Sequence, residues 1–434
     1  MTTITLAHTL SALKTGQFDL LSHLDALCDR IEAVDPHLHC FVAEPGRRAR
    51  MRADAERLLQ AFPRSEERPP LFGLALGVKD IYRADGFDTR CGSALPPALF
   101  AGRESGLVTR LKAAGALIVG KTVTTEFAWF EPGPTRNPLN PKHTPGGSSS
   151  GSAAAVAAQL AHAALGTQTI GSIIRPAAYC GITGVKPSAG SLPTDGIIPF
   201  SKTFDQAGFF TQDLESAKCL AAVVCDEWQV PHPLKTGKPV IGLPDKAFLE
   251  QADTTIQQAF EAQVKKLKDA GFTIIKTNLF NNIDRINEYH KALAAKEFAD
   301  VHEKWFETYG HLYGKHSIDL VHTGREVSPG MAEEILQLRE KTTLEVASLA
   351  DSEGIDCWLS PSATSLPPKG LESTGSPLMN LPWTFTGLPC ISIPVQSRIN
   401  SSPLPFPAGL QISGKANGLK PLFAHASSIQ KHCR

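Results

Sequence analysis

The 434-residue chain lacks any excess of charge and any long apolar run. Lysine plus arginine and aspartate plus glutamate both number 43, so no net field would draw the chain to nucleic acid or to an anionic membrane. No hydrophobic run approaches the length of a membrane span. The start, Met1 to Leu6, has neither a basic region nor a long apolar stretch, so we expect no secretory signal. These absences argue against nucleic-acid and membrane partners.

Cysteine pairs and metal-ligand clusters are also missing from the sequence. The cysteines number nine, an odd count, and none forms a Cys-x-x-Cys pair. That pattern is typical of reduced thiols in a cytosolic protein rather than of a disulfide framework or a zinc site. His290 and His302 lie on predicted helices without a carboxylate at a ligand spacing. We therefore expect a cytoplasmic protein that uses no metal and no cofactor.

Helix-like and strand-like segments alternate along the chain. Asp19 to Ala33 has apolar residues at helical spacing, whereas Leu71 to Val78 and Ala116 to Val119 are typical of buried strands. This alternation predicts an α/β sheet with helices on its faces. Val230 to Lys238, which contains two prolines, is the best candidate hinge, and the region that follows it is more polar and mostly helical.

Two segments rich in glycine and serine carry the chemistry that the sequence suggests. They run over Gly146 to Ser152 and Gly166 to Arg175. Such residues bring little apolar area, but they let backbone N–H groups and hydroxyls approach a small polar molecule. Lys79 follows a buried strand far upstream, so a lysine and two sets of serines lie on three separate loops. Ser152 is predicted to cap a small-residue helix that runs to Leu160.

Two other motifs offer rival interpretations. Gly147 to Gly151 fits Gly-x-Ser-x-Gly, which would make Ser149 the nucleophile of a histidine-dependent esterase. A nucleophile elbow needs a strand before it, and the proline-containing segment up to Pro145 cannot supply one; only His143 and His162 lie near these loops in sequence. Gly115 to Thr122 matches a phosphate-binding P-loop letter for letter, but its four central residues are themselves a predicted strand.

The same segments resemble the amidase signature family of serine hydrolases. The resemblance is strong over residues 70–215, weak over 230–350 and moderate after 355. The matching motifs are Gly77–Asp80, Gly120–Thr122, Glu126–Ala128, Gly146–Ala158, Gly166–Arg175, Gly181–Pro187, Phe204–Asp205, Asn380, Gly387–Pro389 and Gly409–Gln411. The resemblance implies one large domain over 1–434 with a central mixed β-sheet and helices on both faces. Within it, 70–215 would be the catalytic core, 230–350 a helical variable insertion and 355–434 a return to the sheet.

The resemblance also implies a catalytic triad. Ser172 would be the nucleophile, Ser148 the bridging serine after a cis peptide bond, and Lys79 the base. An amine with a pKa of about 10.4 holds its proton at neutral pH, so burial must lower the pKa of Lys79. The backbone N–H groups of Thr169, Ile170, Gly171 and Ser172 would form the oxyanion hole.

Three positions depart from the family pattern. Ile170 and Ser150 stand where glycine is common, and Gln168 stands where aspartate is frequent. None of them removes a triad group, so we expect activity. Ile170 narrows the conformations of one oxyanion donor and adds an apolar wall to the acyl pocket, which weakens any inference of substrate from relatives.

The predicted function is hydrolysis of a non-peptide C–N bond through an acyl-enzyme on Ser172. The substrate would be a small amide, or a carbamate (urethane) or urea-like molecule, and the protein a monomer or homodimer. The candidate substrate-binding residues are Trp129, Phe130, Ser149, Gln168 and Trp383. One alternative is the amidotransferase subunit that releases ammonia from glutamine for tRNA-dependent transamidation. A non-catalytic binding or scaffold protein on the same fold is the alternative of another class.

Overall fold

A computed structural model describes residues 6–231, 237–396, 398–399 and 402–433. The first five residues of the chain and the centre of the predicted hinge lie outside the described residues. The helices are α1 Leu6–Thr15, α2 Leu20–Leu38, α3 Arg47–Ala61, α4 Gly106–Ala113, α5 Ser150–Ala157, α6 Ile174–Cys180, α7 Leu214–Val224, α8 Lys246–Leu249, α9 Thr254–Asp269, α10 Ile283–Tyr309, α11 Lys315–Arg325, α12 Pro329–Ser352, α13 Leu381–Phe385 and α14 Leu419–Cys433. The strands are β1 Ala75–Lys79, β2 Leu117–Thr122, β3 Ala163–Gln168, β4 Thr183–Lys186, β5 Gln206–Thr211, β6 Ile241–Leu243, β7 Ile274–Lys276, β8 Cys357–Pro361, β9 Cys390–Val395, β10 Arg398–Ile399, β11 Ser402–Pro403 and β12 Ala408–Ser413.

One large sheet organises the chain. Within the described ranges it contains ten strands in the order β2-β1-β3-β5-β4-β9-β12-β8-β6-β7. β1 runs parallel to β2 and β3, and β6 runs parallel to β7 and β8. The other neighbouring strands are antiparallel. The predicted α/β fold with a mixed sheet is therefore confirmed.

Helices cover both faces of this sheet, as β2 illustrates. Leu117 and Val119 belong to one apolar cluster, with residues of α2 and α3. Ile118, between them, points to the opposite face and belongs to a second cluster with residues of α4 and α7. Because both faces are buried, the first three residues of the strand form a continuous apolar run that does not alternate with polar residues.

The segment Gly115 to Thr122, which matches the P-loop pattern, forms a buried strand and not a phosphate-binding loop, as the sequence predicts. Residues 117–122 are β2, and Lys121 at its end is buried. Lys121 Nζ forms a salt bridge with Asp80 Oδ1 at 2.7 Å. The lysine therefore neutralises a buried carboxylate next to Lys79.

The region predicted as a helical insertion also contributes to the sheet. β6 and β7 come from within residues 230–350 and form one edge. The long helices α10, α11 and α12 follow them. α10 makes extensive contact with α11 and also packs on α13.

The predicted cap at Ser152 is wrong, because α5 begins at Ser150. Ser152 lies in the first turn, where its hydroxyl donates to Leu165 O at 2.7 Å. The start of α5 is fixed by a close approach at Gly151, where a Cβ atom would lie only 2.2 Å from Cys40 O. Only glycine fits there.

The second glycine-rich segment begins as strand rather than loop. β3 extends to Gln168, so the first three residues of the predicted loop pair with β5. A Cβ atom on Gly166 would lie 2.6 Å from the Phe210 ring and 2.9 Å from Ser149 Oγ. Small residues occur here because β3 is tightly packed between its neighbours, and they hide the pattern expected of a strand.

Candidate active site

Lys79 lies at the end of β1, with its side chain fully buried. Its Nζ atom is 2.8 Å from Ser148 Oγ and 2.8 Å from Thr167 Oγ1. Ser148 comes from the loop before α5, and Thr167 comes from β3. Parallel pairing of β1 with β3 brings the ends of both strands to the same edge of the sheet, which is why these groups meet.

Three lysines are buried in the described part of the chain. Lys79 differs from the other two because its Nζ atom bonds only to hydroxyl groups. Lys121 is paired with a carboxylate, and Lys186 Nζ donates to Gln206 Oε1 at 2.6 Å and to Leu388 O at 2.5 Å. Burial lowers the pKa of Lys79 to about 7, with Asp205 and Cys91 opposing the shift. A large fraction of Lys79 is therefore neutral near pH 7 and able to accept a proton.

Ser148 is held in an unusual backbone geometry. The Gly147–Ser148 peptide bond is cis, as the family resemblance implies. Arg175 Nη2 donates to Gly147 O at 2.7 Å, and the Thr125 backbone N–H donates to Ser148 O at 3.2 Å. These bonds fix the carbonyl groups on both sides of the linkage and so orient the Ser148 hydroxyl.

Ser172 and Ser148 line one narrow cavity, with room of about 10 Å³. Thr169, Ile170 and Gly171 line the same cavity, so the structure brings the predicted oxyanion residues beside both serines. Ser172 is 8% exposed and Ser148 is 2% exposed, so solvent has little access to either hydroxyl.

The loop before Ser172 is held from several sides. Thr169 Oγ1 donates to Asp205 Oδ1 at 2.5 Å, and Thr384 Oγ1 donates to Ile170 O at 2.7 Å. Gly171 packs against Asn380, since a Cβ atom at this glycine would lie 2.5 Å from Asn380 Oδ1. The late sequence motif at Asn380 therefore packs against the loop that precedes Ser172.

Comparison with known proteins agrees with this arrangement. A family model described as Amidase matches residues 22–418. The chain belongs to the amidase signature family. It is 31% identical to a subunit of the glutamyl-tRNA(Gln) amidotransferase of Geobacter sp. (strain M21), with 96% of this chain and 95% of that protein aligned.

Solved structures of amidases share the whole fold. A crystal structure of an amidase superposes with a TM-score of 0.86 at 27% identity, covering 98% of this chain and 99% of the other. The native peptide amidase from Stenotrophomonas maltophilia gives a TM-score of 0.80 at 25% identity, covering 100% of this chain and 97% of the other. The amidase signature fold supports cleavage of C–N bonds, by hydrolases and amidotransferases alike.

Two of the predicted substrate-binding residues reach the cavity. Trp129 and Phe130 are half-buried and line both the narrow cavity and a neighbouring one of about 910 Å³. Phe127 and Ala128, just before them, have φ angles of 46° and 64°. Non-glycine residues rarely adopt this left-handed backbone conformation. Contacts with the surrounding structure, and not the conformational preference of these two residues, therefore hold the segment in place.

Ser149 and Trp383 are not brought to the cavity. Ser149 is fully buried, and its hydroxyl lies 3.3 Å from both Thr167 N and Thr167 O. This placement connects the start of α5 to β3. The hydroxyl is enclosed there, so it is not exposed as the nucleophile of an elbow would be. Trp383 is also fully buried and packs against the rings of Phe280 and Trp358. Both side chains serve packing, because each is enclosed by protein.

Gln168, the third such residue, holds the backbone that follows Ser172. Its Oε1 atom accepts hydrogen bonds from the N–H groups of Ile173 at 2.9 Å and Ile174 at 3.0 Å. Its Nε2 atom donates to Thr384 Oγ1 at 2.9 Å. Gln168 thus bonds the N–H groups at the start of α6 and the hydroxyl of Thr384 at the same time.

We expect Gln168→Leu to destabilise the fold. Two buried N–H groups would lose their acceptor, and each unsatisfied group costs about 1–3 kcal/mol, so the free energy of unfolding should fall by roughly 2–6 kcal/mol. Urea unfolding followed by circular dichroism measures the change. Gln337→Leu, on the exposed face of α12, is the matched control. Equal stability of the two variants would contradict this account of Gln168.

Two residues near the site are missed by the sequence reasoning. Thr167 enters it only as part of a motif, yet its hydroxyl shares Lys79 Nζ with Ser148. His290 on α10 is fully buried, and its Nε2 donates to Thr169 O at 2.9 Å. Burial lowers the pKa of His290 to about 3, so it stays neutral and acts as a fixed donor. His290 is 121 residues from Thr169 in the sequence, so no local sequence pattern predicts their contact.

Among the residues that the structure describes, no group of three or more histidine, cysteine, aspartate or glutamate side chains could hold a metal ion. No described helix is long and apolar enough to cross a membrane. All nine cysteines are free thiols, and eight of them are buried. The narrow cavity is lined by the hydroxyl-bearing residues Ser148, Thr169 and Ser172 and by Arg175, and Lys79 contacts Ser148 behind it.

Proposed function

We propose that this protein hydrolyses a C–N bond of a small amide, carbamate (urethane) or urea-like substrate through an acyl-enzyme on Ser172. The observation that carries the proposal is the contact between a buried Lys79, with a pKa of about 7, and Ser148 at 2.8 Å. Ser148 of that pair also lines the cavity that contains Ser172. A serine hydroxyl becomes a useful nucleophile only when a nearby base can take its proton.

The proposed acylation moves two protons along one line. Neutral Lys79 accepts the proton of Ser148, and Ser148 accepts the proton of Ser172 as the Ser172 Oγ atom bonds to the carbonyl carbon. Return of the protons by the same route protonates the leaving nitrogen, and the C–N bond breaks. Water then attacks the ester with the same relay, which releases the acid and restores Ser172. Lys79 and Ser148 thus act first as base and then as acid.

The loop from Thr169 to Ser172 would stabilise the oxyanion through its backbone N–H groups. A preorganised donor of this kind is worth about 3 kcal/mol in the transition state. Support comes from its position on the cavity and from the bonds that hold Thr169, Ile170 and Gly171 in place. The Ile170 carbonyl accepts a hydrogen bond from Thr384 Oγ1, which helps to fix the backbone of this donor in addition to the restriction that its own side chain imposes.

The amidotransferase subunit is the second candidate, favoured by the relatives that bear this name. Such a protein would release ammonia from glutamine and would work with partner chains. An assay of the chain alone distinguishes the two functions. It compares the turnover of glutamine with that of anilides, carbamates and urea derivatives. We expect the chain alone to release amine from at least one small amide or carbamate faster than ammonia from glutamine. Turnover of glutamine alone, and only after addition of extract from the native cells, would favour the amidotransferase.

A further inference from the structure

The cavity of about 910 Å³ adjoins the narrow cavity that contains Ser172. Trp129 and Phe130 line both, so a substrate held at Ser172 can extend past these two rings into the larger space. The rest of the larger wall comes mainly from α10 and α11, in the region where the resemblance to the family is weak. Residues of this wall can therefore give the chain a substrate preference of its own.

The wall of this larger cavity carries an excess of negative charge. Asp284, Glu288 and Lys291 lie at i, i+4 and i+7 on one face of α10, and α11 adds Asp319. The salt bridges that α10 forms within the described ranges involve other residues. Three carboxylates outnumber one ammonium group, so the wall stays net negative at neutral pH whether or not His316, its remaining titratable residue, is protonated.

Asn287 adds a buried acceptor to the same wall. It is 8% exposed, and its Nδ2 atom donates to Gln251 Oε1 at 2.7 Å. Gln251 Nε2 in turn donates to Phe248 O at 3.1 Å. Because a carbonyl only accepts, this last contact fixes the orientation of both amides and leaves Asn287 Oδ1 without a hydrogen-bond partner among the described residues. Buried acceptors are normally paired, so this oxygen needs a donor.

We propose that the larger cavity binds an ammonium group that the substrate carries at the end of a short aliphatic chain. This inference rests on the proposed function, because reaction at Ser172 places the rest of the substrate. The carboxylates attract the charge, Asn287 supplies an unpaired acceptor, and the rings of Trp129 and Phe130 pack on the chain and favour a nearby cation. An anionic group would meet like charges there, and an apolar group would leave the Asn287 acceptor unpaired.

Two sets of amides test this site. In the first set, anilides of linear acyl chains of several lengths end in an ammonium, a hydroxyl or a carboxylate group, and in the second set the amine portion carries these groups. In one set, wild type should prefer ammonium to hydroxyl by about 10- to 100-fold in kcat/KM, mainly through KM. The preference should shrink at high salt, because the three carboxylates are exposed. Equal turnover of both compounds in both sets, or a preference for the carboxylate, would overturn the proposal.

Substitutions in the wall test which residues set the preference. Asp284→Asn, Glu288→Gln and Asp319→Asn, combined in one variant, should reduce the ratio of ammonium to hydroxyl turnover to about one. Lys291→Gln removes the opposing charge and should raise the ratio. Glu303→Gln changes an exposed carboxylate of α10 that does not line the cavity, so it is the matched control and should keep the wild-type ratio. A combined variant that slows both compounds equally would show a merely structural role and overturn the proposal.

Calorimetry with Ser172→Ala gives a second readout, without turnover. This variant should bind the ammonium compound at least about tenfold more tightly than the hydroxyl compound, and the three added neutral substitutions should remove the difference. Equal binding of the two compounds would overturn the ammonium site, even if Ser172 proves to be the nucleophile. Conversely, if a fluorophosphonate fails to label Ser172 in wild type but ammonium binding depends on the three carboxylates, the site stands and the proposed chemistry fails.

Discussion

Ser172→Ala should lower kcat/KM for amide hydrolysis by roughly 10⁴- to 10⁶-fold, as loss of the nucleophile does in serine hydrolases. The alanine side chain cannot form the acyl-enzyme, whereas the oxyanion donors and the relay remain in place. Steady-state kinetics with an activated anilide of small acyl size measures the loss. The variant should unfold at the same urea concentration as wild type, because the Ser172 hydroxyl faces the cavity and does not hold two elements together.

Ser149→Ala is the matched control for this change. Ser149 lies one residue from Ser148, but its hydroxyl faces the backbone of Thr167 and not the cavity. Its loss should cost stability of about 1 kcal/mol and leave most activity. If Ser149→Ala removed the activity while Ser172→Ala kept it, the nucleophile-elbow interpretation would replace the present one.

Lys79→Met should lower kcat/KM by about 10²- to 10⁴-fold, the contribution typical of a general base. Methionine fills a similar volume without a titratable group. In wild type, kcat/KM should rise with pH until the pH exceeds the Lys79 pKa of about 7, then level off. The sign follows from the chemistry, because only the unprotonated amine accepts a proton and it prevails above its pKa. The residual activity of Lys79→Met should lack that rise.

Lys121→Met separates the loss of the base from the loss of a buried lysine in general. This change leaves Asp80 unpaired and should destabilise the protein by about 3–5 kcal/mol. Whatever activity survives should keep the rise near pH 7, since Lys79 is untouched. A wild-type kcat/KM that does not change from pH 6 to 8 would contradict the role of Lys79. A rise near pH 7 that persists in Lys79→Met would contradict it as well.

Much of the fold is predictable because its helices carry clear apolar stripes. α2 begins one residue after its predicted start, since Asp19 caps it through a bond to the Ser22 N–H. β2 likewise begins one residue after its predicted start, although it continues three residues past its predicted end at Val119. These segments combine a regular spacing of apolar residues with clear signals at their ends, and sequence patterns predict such segments best.

The segments that sequence reasoning misses are those whose partners are distant. β3 consists mainly of small residues, with Leu165 as its one large apolar side chain, and it has no strand-like pattern because α5 and β5 pack closely against it. The sequence suggests a substrate-binding role for Gln168, but its side chain closes the start of α6. The site residues Lys79, Ser148 and Ser172 are identified through a family resemblance, and their spacing along the chain does not by itself bring them together.

The central claim is that Ser172 is the activated nucleophile, and mass spectrometry of a fluorophosphonate adduct tests it most directly. Wild type, Ser172→Ala and Ser149→Ala would each be treated, weighed intact and digested to locate the modified residue. The account predicts one adduct, on Ser172, in wild type and Ser149→Ala, and none in Ser172→Ala. An adduct on Ser149 that survives Ser172→Ala would contradict it, and no adduct in any form would point to a non-catalytic protein on this fold.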